Sequence, residues 1–276
     1  MPSTARNHAI AQQVKAAQDG ARQIARLTDQ YRGFDLPAAY AVAQLIHQAR
    51  LAEGARTVGR KIGFTNPDMW ALYGVRAPIW AHVYESTVVQ LPSGPARCSL
   101  RGFAEPKIEP EIVLHLRSAP PVGGGPAQVL DSIDWVAHGF EIVQSHFAGW
   151  RFQAADAVAD WSLHGRLMVG PPQPVKRLGS DLIAALESFS LSLACDGEVR
   201  EVGRGANVLG SPLAALAHLV ALLALLAEQP DDPPLQAGEL VTTGTVTTAQ
   251  QVLPGQTWRT ELSGLSLPGL NVAFEA

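Results

Sequence analysis

Cysteine and positive charge are both scarce in this chain. Its 276 residues include two cysteines, Cys98 and Cys195, which form no CxxC pair and no zinc-type spacing. A disulfide-stabilised scaffold is therefore not expected, and a reducing cytoplasm is the predicted setting. Lysine and arginine (21) are outnumbered by aspartate and glutamate (25), so the net charge of −4 provides no basic surface for nucleic acid or an anionic membrane.

Long apolar runs are missing as well. The N-terminus carries no apolar segment of the signal-peptide type. The longest uncharged apolar stretch, residues 212–227, is shorter than the roughly 20 residues that span a bilayer. Ser211 is a suitable N-cap and Pro212 a suitable first-turn residue, so we predict a buried helix over residues 212–228.

Apolar residues make up 47% of the chain, which is enough for a sizeable core. Helical spacing covers the N-terminal part, with helices predicted over residues 8–31 and 38–52; Asp35 is the expected N-cap of the second helix and Gly54 its expected end. Further helices are predicted at 67–73, 127–132, 178–185 and 212–228. Strands are predicted at 57–64, 86–91, 110–116, 134–143, 165–169, 188–195, 239–243 and 262–274. The pattern predicts an α+β fold on a curled mixed sheet, with a helical region over 1–56 and a β-rich domain over 57–276 that together form one integrated unit.

Two glutamates lie one residue apart in a segment that ends as a strand. Side chains alternate along a strand, so Glu109 and Glu111 point to the same face. Two neighbouring carboxylates repel each other unless water or a cation screens them. An exposed edge strand is the simpler interpretation of such a pair, and a hard divalent cation such as Mg²⁺ is the alternative.

Three other positions are unusual for their surroundings. Glu141 lies inside the apolar run 135–143, where an ionised carboxylate needs a partner or a metal. Lys61 is either an exposed strand lysine or, if desolvated near a metal, a group that moves protons near neutral pH. Residues 238–245 either end in an ordinary Thr-rich turn or bind a carboxylate through hydroxyl and backbone N–H groups.

Six motifs follow one another along the chain: KIGFT (61–65), EPEI (109–112), GFEIV (139–143), VADWSLHG (158–165), VLGSPLAALAHL (208–219) and GELVTTGT (238–245). This ordered set resembles the fumarylacetoacetate hydrolase superfamily. Within it, the chain is most similar to the branch of 2-keto-4-pentenoate hydratases and 4-oxalocrotonate decarboxylases. The resemblance implies a mixed β-roll core with a helical N-terminal region and a site for Mg²⁺ or Mn²⁺.

The resemblance also implies roles for individual residues. The expected metal ligands are Glu109, Glu111 and Glu141. The expected catalytic residue is Lys61. The residues expected to contact the substrate are Thr243, Gly244, Thr245, Gly63 and Phe64.

The activity implied is that of a divalent-metal-dependent lyase acting on 2-hydroxy-2,4-dienoates or their 2-oxo tautomers in aromatic-compound degradation. 2-Keto-4-pentenoate hydratase is the first expectation and 4-oxalocrotonate decarboxylase the second, because one enolate-stabilising site serves both reactions. Hydrolytic C–C cleavage of an acylpyruvate would need a His–Glu pair, for which His82 and Glu85 are the nearest candidates. A non-catalytic partner subunit is the alternative from another class. The chain is expected to form a homo-oligomer and to associate with a pathway hydratase or decarboxylase.

Two segments depart from the hydratase pattern. Hydratases usually carry an acidic residue shortly after the lysine, where this chain reads APIWAH (77–82). Many hydratases have Ala-Asp-Asn-Ala-Ser where this chain reads ADWSL (159–163). Both segments belong to the expected pocket, so the two lyase reactions remain open.

Overall fold

The computed structural model describes residues 3–226 and 233–276 of the chain. Its α-helices are α1 (Ser3–Asp19), α2 (Leu27–Gln30), α3 (Leu36–Ala52), α4 (Trp70–Tyr73), α5 (Pro126–Asp131), α6 (Ala154–Ala159), α7 (Leu182–Ser188) and α8 (Pro212–Leu226). Its strands are β1 (Thr57–Gly63), β2 (Ile79–Tyr84), β3 (Val88–Gln90), β4 (Ala96–Ser99), β5 (Lys107–Leu116), β6 (Ile133–Val143), β7 (His164–Val169), β8 (Gln173–Pro174), β9 (Ser190–Cys195), β10 (Glu198–Arg204), β11 (Leu240–Thr245), β12 (Gln250–Gln251), β13 (Thr257–Ser263) and β14 (Asn271–Glu275).

Two mixed β-sheets organise the molecule. The nine-stranded sheet has the order β2-β1-β11-β5-β6-β7-β3, and β12 and β8 pair with β5 and β6. The five-stranded sheet has the order β10-β9-β13-β14-β4. Most neighbours are antiparallel, but β1–β11, β3–β7 and β14–β4 are parallel. Curled mixed sheets with helices out of strict alternation confirm the predicted α+β fold.

Helix α8 is the apolar stretch that the sequence singles out. The Ser211 hydroxyl accepts a hydrogen bond from the Ala214 amide at 3.1 Å, as expected of an N-cap. One helical segment, Gly205–Leu225, is long and apolar enough to cross a membrane by length and composition, with a mean hydropathy of 2.1. Leu216 and Leu219 on α8 are fully buried in the main core. The helix therefore contributes a core face, as predicted; residues 227–228 of the predicted helix lie outside the described residues.

Helices α1, α2 and α3 pack against the larger sheet through a second apolar cluster, which includes Ile10, Val42 and Phe147. The helix predicted over residues 8–31 is wrong in its extent, because α1 ends at Asp19 and Ala21 adopts a left-handed φ of 45°. The Asp35 cap is confirmed, since its carboxylate accepts from the Ala38 amide at 3.0 Å.

Some strand predictions are also wrong. The single strand predicted over residues 262–274 is two antiparallel strands, β13 and β14, because the chain turns between them at Gly264 (φ 84°). Strand β5 begins earlier than predicted, at Lys107, so both glutamates of the pair lie within it. Strands β2, β4, β8, β10 and β12 and helix α6 were not predicted, since their sequences show neither a clean alternation of apolar and polar residues nor a clear helical period.

Candidate active site

The three glutamates meet at the centre of the larger sheet. In the antiparallel pair β5–β6, Glu109 lies directly opposite Glu141, and Glu111 lies opposite Gly139. Because opposite residues project from the same face, all three carboxylates lie on one side of the sheet. Their ligand oxygens are within 4.8 Å of one another. The structure thus brings together the three predicted metal ligands.

Hydrogen bonds orient two of these carboxylates. Glu111 accepts from the Gly244 amide at 2.9 Å and from the Thr242 hydroxyl. Glu141 is fully buried, and its Oε1 lies 2.6 Å from Nδ1 of His164. Its other oxygen, Oε2, is buried with no hydrogen-bond partner in the described chain. An ionised oxygen left in this state is costly unless a cation contacts it.

Lys61 lies beside the carboxylates on β1 and is only 3% exposed. Its Nζ lies 3.1 Å from Oε1 of Glu141 and donates to the Ser162 carbonyl at 3.0 Å. An ammonium group has three N–H donors, so these two contacts leave one for a molecule in the adjoining cavity. We refer to Glu109, Glu111, Glu141 and Lys61 together as the floor of the cavity; Lys61 and Glu109 line the cavity itself.

A left-handed turn brings the Ser162 carbonyl to Lys61. Trp161, Ser162 and Leu163 have φ values of 56°, 47° and 64°, a conformation that is unfavourable for residues with side chains. The Trp161 indole donates to the His82 carbonyl and the Ser162 hydroxyl donates to the Trp80 carbonyl, both at 2.8 Å. These bonds to strand β2 hold the turn in place and thereby position the lysine.

Burial and mutual charge shift the pKa values of the four ionisable groups of the floor. Burial raises the pKa of Glu109 to about 7, although Lys61 acts in the opposite direction. Burial and the nearby Glu141 raise the pKa of Glu111 well above its usual range. Burial opposes the ionisation of Glu141, but Lys61 and the contact with His164 outweigh it and lower the pKa to about 2. Burial also disfavours charged Lys61, yet the three carboxylates prevail and raise its pKa.

This donor set fits a divalent cation. When all three carboxylates are ionised, they and one ammonium leave two negative charges uncompensated, which one divalent ion would balance. Burial raises the pKa of Glu109 and of Glu111, and a cation held between them would favour their ionised forms. Carboxylate oxygens are the ligands that Mg²⁺ and similar hard cations prefer. The unpartnered Oε2 of Glu141 supplies one such oxygen.

A cavity opens above the floor. Of the residues expected to contact substrate, those that line it are Gly63, Phe64, Gly244 and Thr245. Thr243 does not line it, because its side chain is buried and its hydroxyl donates to the Ile112 carbonyl at 3.0 Å. We call Trp150 and residues 245–249 the cavity rim.

Glu201 on β10 holds the loop of the cavity rim. Its carboxylate accepts from the Thr248 amide at 2.9 Å and from the Gln250 side chain at 3.1 Å. The smaller sheet thus contributes to the site by fixing the loop that closes one side of it.

Several residues of the site were not singled out from the sequence as functional. They are Ser162, His164, Thr242 and Trp150. Ser162 and His164 lie in the VADWSLHG motif and Thr242 in GELVTTGT, so the motifs marked the right segments without indicating which atoms matter. Trp150 follows a loop with no motif, and only the fold brings it to the cavity.

His82 and Glu85, the pair considered for hydrolytic chemistry, do not line this cavity. The His82 ring is stacked on His47 with centroids 3.7 Å apart, next to a second cavity. Glu85 lies at the surface, 3.5 Å from Arg56.

Comparison with known proteins gives consistent matches. The family model for the fumarylacetoacetate hydrolase C-terminal domain matches residues 48–268. A 2-keto-4-pentenoate hydratase from Burkholderia vietnamiensis is 32% identical over 257 residues, 93% of each chain. A 4-oxalocrotonate decarboxylase from Pseudomonas putida is 30% identical over 259 residues, also 93% of each chain. Among solved structures, 4-oxalocrotonate decarboxylase from Pseudomonas putida G7, complexed with magnesium and adipate, superposes with a TM-score of 0.87 at 26% identity and covers 98% of both chains.

Proposed function

We propose, since the chain belongs to the fumarylacetoacetate hydrolase family, that it is a divalent-metal-dependent lyase acting on 2-hydroxy-2,4-dienoates or the corresponding 2-oxo acids. The observation that carries the proposal is the floor of the cavity, where three clustered carboxylates and a buried lysine converge. Relatives with about 30% identity over most of their length are named as hydratases and decarboxylases of such substrates. The ion proposed is Mg²⁺, with Mn²⁺ as the alternative.

The residues of the floor would divide the work. Glu109, Glu111 and Glu141 would hold the ion, which when bound acts as a Lewis acid on the carboxylate and 2-oxygen of the substrate. Lys61 would move a proton between oxygen and carbon as the dienol becomes the 2-oxo form. The Ser162 carbonyl supports this role, because it fixes the direction of the ammonium group.

The walls of the cavity would hold the rest of the substrate. Phe64, Ile79 and Leu163 provide an apolar surface for the hydrocarbon chain and exclude water from the lysine. Thr245 and Gly244 line the cavity, and the Thr245 hydroxyl would bind the substrate carboxylate, since the Gly244 amide already donates to Glu111.

We propose 2-keto-4-pentenoate hydratase as the first reaction, in line with the relatives of that name. A second candidate, 4-oxalocrotonate decarboxylase, is favoured by Ile79. This apolar side chain lines the cavity in the segment where hydratases usually carry an acid, so no carboxylate is available there to orient a water molecule. Acylpyruvate hydrolysis has no such support, because His82 and Glu85 are not at the cavity.

The decisive experiment follows ultraviolet absorbance of purified protein with 2-hydroxypenta-2,4-dienoate and, separately, with 4-oxalocrotonate. Each substrate is tested with Mg²⁺ and with EDTA. Metal-dependent loss of one substrate identifies the reaction. No turnover of either substrate with Mg²⁺ would contradict the proposal and would favour a non-catalytic partner subunit.

The wider context of the proposal is a cytoplasmic homo-oligomer that works beside a pathway hydratase or decarboxylase. The helical region over residues 1–56 and the catalytic domain over 57–276 are proposed to form one unit. Contacts between them support this, since Gln18 donates to Asp160 at 3.3 Å and the Ile24 amide donates to the His146 carbonyl at 2.7 Å.

A further inference from the structure

A second cavity adjoins the turn that positions Lys61. Its volume is about 440 Å³, and it is bounded by residues of helix α3, of strand β2 and by Trp161. None of the four residues of the floor lines it, so it is separate from the site proposed for the metal. Sites for small molecules typically have volumes of roughly 300 to 1,000 Å³. The second cavity is therefore large enough for a ligand of its own.

Flat rings make up much of the wall of the second cavity. The two imidazole rings that line it are stacked, with centroids 3.7 Å apart and planes 7° apart. The Tyr84 and Trp161 rings have centroids 5.1 Å apart. Aromatic faces and edges pack well against another ring, so this wall suits a small planar ligand. The ring-bearing residues are Tyr40, His47, Trp80, His82, Tyr84 and Trp161.

The wall also contains buried N–H groups that have no acceptor. Nε1 of Trp80, Nε2 of Gln44 and Nε of Arg50 are buried and make no hydrogen bond within the described parts of the chain. All three residues line the second cavity. A buried donor without an acceptor is costly, and each of these three atoms is a donor. A ligand that matches this wall would therefore supply acceptor oxygens.

One of these donors belongs to a cation. The Arg50 guanidinium is held by Asp19, 3.1 Å from its Nη1, and by the Gln18 side chain, which accepts from its Nη2 at 2.8 Å. Asp19 is half-exposed and also pairs with Lys15 at 2.7 Å, so it divides its charge between two cations. Among the residues that the structure describes, no aspartate or glutamate lines the second cavity. An anionic acceptor is therefore favoured over a neutral one.

We propose that the second cavity binds a small aromatic carboxylate, and that the bound ligand stabilises the turn at residues 161–163. The ring of the ligand packs against the aromatic wall, and its carboxylate accepts from the N–H groups of Trp80, Gln44 and Arg50. This inference goes beyond the proposed function, because the ligand contacts neither the metal site nor the substrate.

The turn connects the second cavity to the floor. Trp161 lines the second cavity, and its ring centroid lies 4.9 Å from the Arg50 guanidinium. The next two residues, Ser162 and Leu163, line the cavity above the floor. The Ser162 carbonyl accepts from Lys61 at 3.0 Å. A ligand packed against Trp161 thus restrains a left-handed backbone that is otherwise unfavourable, and the restraint reaches Lys61 through one peptide unit.

The test titrates sodium benzoate into the purified protein in EDTA, so that no metal is available to bind the carboxylate. Isothermal titration calorimetry is expected to show one benzoate bound per chain. Benzamide has the same ring without the charge and should bind about tenfold or more weakly, as is typical when a hydrogen bond to a charged group is replaced by a neutral one. Glu111→Gln should bind benzoate like the unaltered protein, because Glu111 does not line the second cavity.

Two variants of helix α3 form a matched pair. Ala43 lines the second cavity, so Ala43→Phe fills it without removing a polar contact and should abolish benzoate binding. Ala41 is exposed on the same helix, so Ala41→Phe should leave benzoate binding unchanged. Gln44→Met removes one of the donors at a similar side-chain length and should weaken benzoate severalfold. A thermal melt establishes that each variant is folded.

Amide hydrogen exchange tests the connection to the turn. Saturating benzoate should slow exchange in the segment 158–165 of the unaltered protein and of Ala41→Phe, and should have no effect in Ala43→Phe. This measurement needs neither metal nor turnover.

Each part of the inference can be overturned separately from the proposed function. Absence of benzoate binding at millimolar concentration, binding that persists in Ala43→Phe, or binding that is lost in Glu111→Gln overturns the second site. Equal binding of benzamide overturns the preference for an anion. Unchanged exchange at the turn with benzoate bound overturns the connection to Lys61. Failure of the metal-dependent chemistry would leave all of these results in force.

Discussion

The floor and the rim of the cavity are built in opposite ways. The floor lies on central strands, where Glu141 and Lys61 are almost completely buried and neutralise each other across 3.1 Å. The rim lies mostly on loops, where Trp150 is half-buried, and begins at the end of β11, where the Thr245 hydroxyl lies 3.4 Å from that of Thr247. Charge that is buried on rigid strands can act on a reacting atom, whereas polar groups on loops hold and sort ligands. Substitutions in the floor should therefore alter chemistry, and those in the rim should alter binding.

The largest effect is expected from Lys61→Met in the floor. Methionine has a similar length but no ionisable group. Turnover should therefore fall by a factor on the order of 10² to 10⁴, as is typical when an acid–base group is removed. The measurement is made at saturating Mg²⁺, because without a cation the variant leaves the three clustered carboxylates uncompensated. Wild-type turnover in a metal-loaded variant would exclude Lys61 from the mechanism.

A smaller effect is expected at the junction of floor and rim, from Gly244→Ala. Gly244 has a φ of 92°, and an added Cβ would come within 1.9 Å of the Thr65 hydroxyl oxygen. The strained backbone and the clash should together lower the free energy of unfolding by about 3 kcal/mol or more.

Gly255→Ala is the matched control for this substitution. Gly255 has a similar φ of 89° but nothing within 4 Å of an added Cβ, so its cost should be about 1 kcal/mol. Urea denaturation measures both variants. Equal losses would show that backbone conformation alone matters at Gly244. The Mg²⁺ affinity should also fall in Gly244→Ala alone, because its amide orients Glu111.

The smallest effect on activity is expected in the rim. Thr245→Ala should raise KM severalfold and change kcat little, if its hydroxyl contributes about 1 kcal/mol to substrate and transition state alike. Thr243→Ala is the matched comparison: its hydroxyl donates to a buried carbonyl, so stability should fall while KM stays unchanged. Steady-state kinetics measure KM and kcat of both variants. A loss confined to kcat in Thr245→Ala would assign that hydroxyl to the chemical step.

The sequence predicted the floor better than the turn that supports it. A Glu-x-Glu pair on a strand and a lone glutamate in an apolar run follow from alternation and the cost of buried charge, which are local properties. The register that sets Glu109 against Glu141 depends on the pairing of two whole strands, and no single motif determines it. The ligand assignment itself came from the family resemblance.

The turn at residues 161–163 shows where prediction from sequence stops. Left-handed backbone is usually signalled by glycine, yet Trp161, Ser162 and Leu163 adopt it with side chains present. Tertiary hydrogen bonds to β2 impose the conformation, and β2 was itself not predicted. Strands β13 and β14 were merged for a related reason, since the reversal between them was read as continuous β-structure.

The account depends most on a divalent ion held by the floor of the cavity. Titration calorimetry with Mg²⁺, on the unaltered protein and on Glu111→Gln, tests this most directly, because a neutral amide is a poor ligand for a hard cation and the change keeps the shape of the side chain. The account predicts one Mg²⁺ bound per chain and a clear loss of affinity in the variant, accompanied by a thermal stabilisation by Mg²⁺ that the variant lacks. Unchanged Mg²⁺ affinity in Glu111→Gln would contradict it.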